Sequence, residues 1–247
     1  MLLDFTTSQL VFIILIFIWS GFVRSGLGFG GAALGLPLML LVYDQPIFWL
    51  PVIGAHLLFF SALTLRTRFR NVGWPYLLRS MLIIVPAAVA GVFGLISLPS
   101  QVMVIFIYSV TLFYALMWLF SINIHSSNRW VDRFLLATGG YIAGTSLTGA
   151  PLIVAVYMRN VAAQQLRNTL LVLWFVLVSI KMATFAAFSV ELHLDTALIL
   201  LPVAAIGHVV GLRAHDLILE NDQMFKRILG GALVIISLLG LWKILNV

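Results

Sequence analysis

Ten apolar runs parted by short polar breaks decide what this chain can fold into before any motif is considered. They lie at about 8–23, 32–43, 47–65, 76–97, 101–120, 134–147, 150–158, 168–189, 196–212 and 228–245. A helix needs about 20 such residues to cross the hydrocarbon core. Backbone in that solvent must satisfy its own hydrogen bonds, which leaves helices and closed barrels, and runs of this length belong to helices. Of the 247 residues, 62% are hydrophobic and 9% charged, against roughly 25% charged in an ordinary soluble domain. The expected fold class is an all-α membrane protein: a single transmembrane domain over 1–247, with lipid as its solvent.

Several function classes fall away on composition. The net charge of +6 does not mark a nucleic-acid binder, because the basic residues sit in short loops where membrane orientation explains them. With no cysteine, disulfides, thiolate metal sites and cysteine nucleophiles are excluded. No metal and no cofactor is expected. The first 23 residues hold no Lys or Arg, and Asp4 is their one charge. A cleavable signal peptide needs a basic start, so this segment is expected to be a retained membrane helix. Whether the chain forms a homo-oligomer stays open.

Three runs are too short to cross. A twelve-residue helix covers about 18 Å of a core about 30 Å thick, so 32–43, 134–147 and 150–158 read as half-helices or arms of re-entrant hairpins. The charges orient the rest. Arg66, Arg68, Arg70, Arg79, Arg129, Arg133, Arg159, Arg167, Arg213, Lys226 and Arg227 fall in four loops on one side, eleven of the fourteen basic residues. Asp4, Asp44, Glu191, Asp195 and Lys243 fall on the other. The basic side is cytoplasmic by the positive-inside rule, placing both termini outside a multi-pass protein of the cell inner membrane. Each half then reads as a broken-helix hairpin followed by three crossings. Repeat one spans about 5–120 and repeat two about 134–245, with inverted topology. Gly21-Phe22-Val23 leading to Gly30-Gly31 is echoed by Gly140-Tyr141-Ile142 leading to Gly149-Ala150 at the same spacing.

The breaks in the two hairpins carry the chemistry. The first reads Arg24-Ser25-Gly26-Leu27-Gly28-Phe29-Gly30-Gly31, and the second Gly144-Thr145-Ser146-Leu147-Thr148-Gly149-Ala150-Pro151. Glycine costs up to about 1 kcal/mol per residue in a helix, and Pro151 suits the first turn of a new one. Each break is expected to present a helix amino terminus inside the membrane, where free N–H groups and the helix dipole favour an anion. Ser25, Thr145, Ser146 and Thr148 add hydroxyls to Gly28, Gly30, Gly31 and Gly149. The plainer reading of any one glycine is close helix packing. The trapped charges agree with the anion. All eight acids lie in loops or at run ends, whereas Arg24, Lys181, His56 and His208 lie within or beside apolar runs. Intramembrane cations face a partner or a cavity, and a small anionic substrate supplies the missing counter-charge. Lys181 is open to the alternative of snorkelling towards an interface. His56 and His208 are candidates for proton coupling. Trp49, Trp74, Tyr76, Trp130, Tyr157 and Trp242 read as interfacial belts.

These motifs resemble the TauE/SafE-type sulfite exporter family, also called toluene-sulfonate uptake permeases. The resemblance rests on Gly21 through Gly31 with the downstream Pro37, and on Gly139-Gly140-Tyr141-Ile142-Ala143-Gly144 continuing to Thr148-Gly149-Ala150-Pro151-Leu152. It implies duplicated halves and transport of a sulfur or carboxylate oxyanion. Thr148-Gly149-Ala150 stands where the family tends to three glycines, and Ala32-Ala33 where a proline often follows, which leaves the particular substrate undefined. The expected mechanism is alternating access, with the two hairpin tips meeting near the midplane and one repeat rocking against the other. An anion channel is the nearest alternative. An intramembrane enzyme, casting Ser146 with His208, lacks any nucleophile elbow, zinc motif or paired acids.

Overall fold

The computed structural model describes residues 5–27, 31–68, 71–122, 124, 128–220 and 222–246. They form ten helices: α1 (Thr7–Leu27), α2 (Gly31–Val42), α3 (Pro46–Arg68), α4 (Trp74–Ser97), α5 (Ser100–Leu119), α6 (Arg129–Ser146), α7 (Ala150–Asn160), α8 (Ala163–Ala187), α9 (Leu194–Glu220) and α10 (Asp222–Leu245). Among the described residues, α1, α3, α4, α5, α8, α9 and α10 are long and apolar enough to cross a membrane. This is an all-α, multi-pass membrane protein.

Every expected run is a helix, but several ends differ. α6 starts at Arg129 rather than 134, because the Asn128 side chain accepts the Trp130 N–H at 2.8 Å and caps a polar first turn. α9 and α10 extend through the expected 213–227 loop to Glu220 and from Asp222. Hydropathy marks where lipid ends, whereas Arg, Leu, Gln and Lys continue a helix readily beyond it. The breaks also shrink. α1 runs on through Arg24, Ser25 and Gly26 to Leu27, and α6 runs through Gly144 to Ser146. The small helix cost of a glycine is outweighed there by the packing it permits.

The chain divides into two compact units. The first comprises residues 1–50, 98–123 and 193–247; the second comprises 51–97 and 124–192. In the first, α1 lies along α9 and α5 along α10; in the second, α4 lies along α6. Glycine sets both close approaches. A Cβ at Gly207 would stand 1.8 Å from the Ile18 carbonyl oxygen, and one at Gly211 2.3 Å from that of Phe22. In the second unit, a Cβ at Gly144 would stand 2.0 Å from the Ala88 oxygen, and one at Gly140 2.7 Å from that of Ile84. Contact positions climb together along both partners, so α1 runs parallel to α9 and α4 parallel to α6. Small residues let membrane helices approach to backbone contact, where dispersion and polar contacts replace the absent hydrophobic drive.

Two of the aromatics expected at interfaces are core residues. Trp49 and Tyr157 are fully buried, with the Trp49 indole donating to the Tyr43 carbonyl at 2.8 Å and the Tyr157 hydroxyl 2.5 Å from that of Ser80. A satisfied polar tip lets an amphipathic ring be buried among other side chains. Trp130 and Trp242 are exposed, as a belt requires.

Candidate functional site

Each unit holds one hairpin. In the first, α1 is about 31 Å long and α2 about 18 Å, so a full-length arm is followed by a short return. The Ser20 hydroxyl donates to the Gly31 carbonyl at 3.0 Å, and a Cβ on Gly31 would lie 2.8 Å from the Arg24 Cβ. Arg24, in the last turn of α1, therefore stands against the first residue of α2. Ser25 is buried and donates back to the Gly21 carbonyl at 3.0 Å. The same hydroxyl lies within hydrogen-bonding reach of His208 Nδ1 on α9. Arg24, Ser25, Gly31 and His208 thus share one neighbourhood. Gly28 and Gly30 lie outside the described residues.

The second hairpin has the same long-then-short form, α6 at about 27 Å and α7 at about 17 Å. Glycine again closes the arms, since a Cβ on Gly149 would stand 1.9 Å from the Gly139 oxygen. The tip is three residues. Leu147 takes the left-handed conformation at φ 60° and caps α6 by donating its N–H to the Ala143 carbonyl at 3.0 Å. Glycine usually fills such a position; a leucine there holds a strained backbone in place. Thr148 follows, then Gly149 as the N-cap of α7, with Pro151 in the first turn.

Polar groups converge on this tip and all are buried: Thr145, Ser146, Thr148 and Lys181 are each at most 1% exposed. Thr145 and Ser146 both donate to the Ile142 carbonyl at 3.0 Å. The Ser146 and Thr148 hydroxyls lie 2.6 Å apart and share a hydrogen bond. At the start of α7 the backbone N–H groups add donors, since those of a first turn have no intrahelical partner. The Lys181 Nζ donates to the Thr145 carbonyl at 3.1 Å and lies 5.8 Å from the Phe185 ring centre. Its partner is a carbonyl at the negative end of α6, where cations are favoured, and not a carboxylate. The open end of this hairpin is closed by an ion pair of Arg159, in the last turn of α7, with Asp132, in the first turn of α6.

His56 is buried on α3, two residues from Gly54. A Cβ at Gly54 would lie 2.8 Å from the Met182 sulfur, so this stretch of α3 packs next to the Lys181 turn of α8. The sequence reading missed Ser20, whose bond to Gly31 closes the first hairpin, and Leu147. The signal for Ser20 was its place one residue before the repeated glycine; Leu147 gave none.

The family model described as Sulfite exporter TauE/SafE matches residues 13–239, nearly the whole chain. Comparison with curated proteins finds no match, and neither does comparison with solved structures.

Proposed function

Because the chain belongs to the sulfite exporter TauE/SafE family, a family of membrane transporters and not of enzymes, we propose that it is a secondary carrier of a small oxyanion such as sulfite or a sulfonate. It works by alternating access in the bacterial inner membrane, with both termini on the non-cytoplasmic side. One observation carries the reading: a fully buried lysine is bonded to the Thr145 carbonyl, in the last turn of α6 just before the tip that leads into α7, a place that an anion completes. The α7 N–H groups, Thr145, Ser146, Thr148, Gly149 and Lys181 hold the substrate in one unit. Arg24, Ser25 and Gly31, with Gly28 and Gly30, do so in the other. His208, held by Ser25, is the candidate proton carrier, and His56 the second.

The two-repeat organisation, 5–120 and 134–245, is part of the proposal. It is supported by the matched long-and-short hairpins and by the parallel pairing of α1 with α9 and of α4 with α6, each of which joins one half to the other. Counter-flow tests the carrier. Proteoliposomes preloaded with unlabelled sulfite should take up labelled sulfite faster than empty ones. A rate indifferent to preloading at balanced gradients would instead identify a pore.

A further inference from the structure

Along α8, three side chains that can only donate hydrogen bonds recur every seventh residue: Arg167, Trp174 and Lys181. Seven residues return to nearly the same helix face and rise about 10.5 Å, so the three form one stripe. The Arg167 Nε is buried. The Trp174 indole N–H is also buried and has no hydrogen-bond partner among the described residues. A buried indole N–H ordinarily finds an acceptor. α8 contains no Asp or Glu, nor do α4, α7 or residues 51–68 of α3. Asp132 of α6 is paired with Arg159 at the far end of the hairpin. The residues flanking the stripe, Leu170, Leu177 and Val178, are buried and apolar.

We propose that Trp174 contacts the transported anion, as the middle rung of a donor stripe that leads from Arg167 at the amino-terminal end of α8 to Lys181 and the tip of the second hairpin. This rests on the oxyanion-carrier reading. An indole N–H attracts an oxyanion without binding it as a full charge would, which suits a rung that must release its cargo. The test replaces Trp174 by Phe, and separately by the benzothienyl isostere, in which sulfur replaces the N–H and ring shape is kept. Sulfite uptake is measured in proteoliposomes, with folding checked by detergent gel filtration. Both variants should raise the KM about tenfold, the effect of one hydrogen bond to a charged group. A KM unchanged in the folded isostere overturns the stripe while leaving the carrier intact. A wild-type chain that moves no oxyanion overturns the carrier and the stripe with it.

Discussion

Replacing Gly144 by alanine tests how the second unit is held together. The new Cβ would stand 2.0 Å from the Ala88 oxygen, 2.7 Å from its carbonyl carbon and 2.8 Å from its Cα. A relaxed C···O contact needs about 3.3 Å, so α4 and α6 must part locally by about 1.3 Å. Every opposing atom is backbone, so no side chain can turn aside. Overpacking of this kind costs about 1–3 kcal/mol, and the better helix propensity of alanine returns up to about 1 kcal/mol. The middle of those ranges leaves a net loss of about 1.5 kcal/mol, or roughly 3–6 °C in Tm for a chain of this size. Gly231 is the internal control. Its Cβ would meet only the Leu119 Cδ1, at 3.9 Å, so Gly231→Ala gains propensity without a clash. The folded fraction after heating, read by gel filtration in detergent, should fall for Gly144→Ala and hold or rise for Gly231→Ala. Equal melting of Gly144→Ala and the parent would refute the close approach of α4 and α6.

Three further outcomes bear on transport. Arg24→Ala should lose oxyanion uptake while remaining inserted and folded; uptake at the parent rate would remove Arg24 from the site. Lys181→Met should cut uptake tenfold or more, because it takes away the buried cation and the donor of the Thr145 carbonyl; the check is uptake per folded molecule. His208→Gln should keep substrate binding but abolish the response of flux to an imposed pH gradient, measured with a pH dye inside the liposomes, and an undiminished response would exclude His208 as the proton carrier.

Element identity was legible in the sequence because hydrocarbon demands long, charge-free runs, and each of the ten runs is a helix. Helix ends were less so. Asn128 capping α6 five residues early and the continuation of α9 to Glu220 depend on local capping and propensity, to which hydropathy is blind. Helix partners were not read, although Gly207 and Gly211, four apart on α9, carry a small-xxx-small signal of the kind that marks a packing face. At the site, glycine and hydroxyl clusters located both hairpins. Long-range partners were beyond sequence: that Ser25 meets His208, or that Lys181 reaches the Thr145 carbonyl, depends on contacts between helices far apart in the chain. Trp49 and Tyr157 are buried in protein, which residue type alone does not foretell, since it does not tell lipid from protein as the neighbour.

Uptake of labelled solutes into proteoliposomes of the purified chain tests the central claim most directly, using sulfite, sulfonates, sulfate, small carboxylates, potassium and a small amine, with and without a pH gradient. The proposed oxyanion carrier predicts saturable uptake of at least one oxyanion and none of either cation. Saturable uptake of a cation, with every anion passed over, would contradict the account.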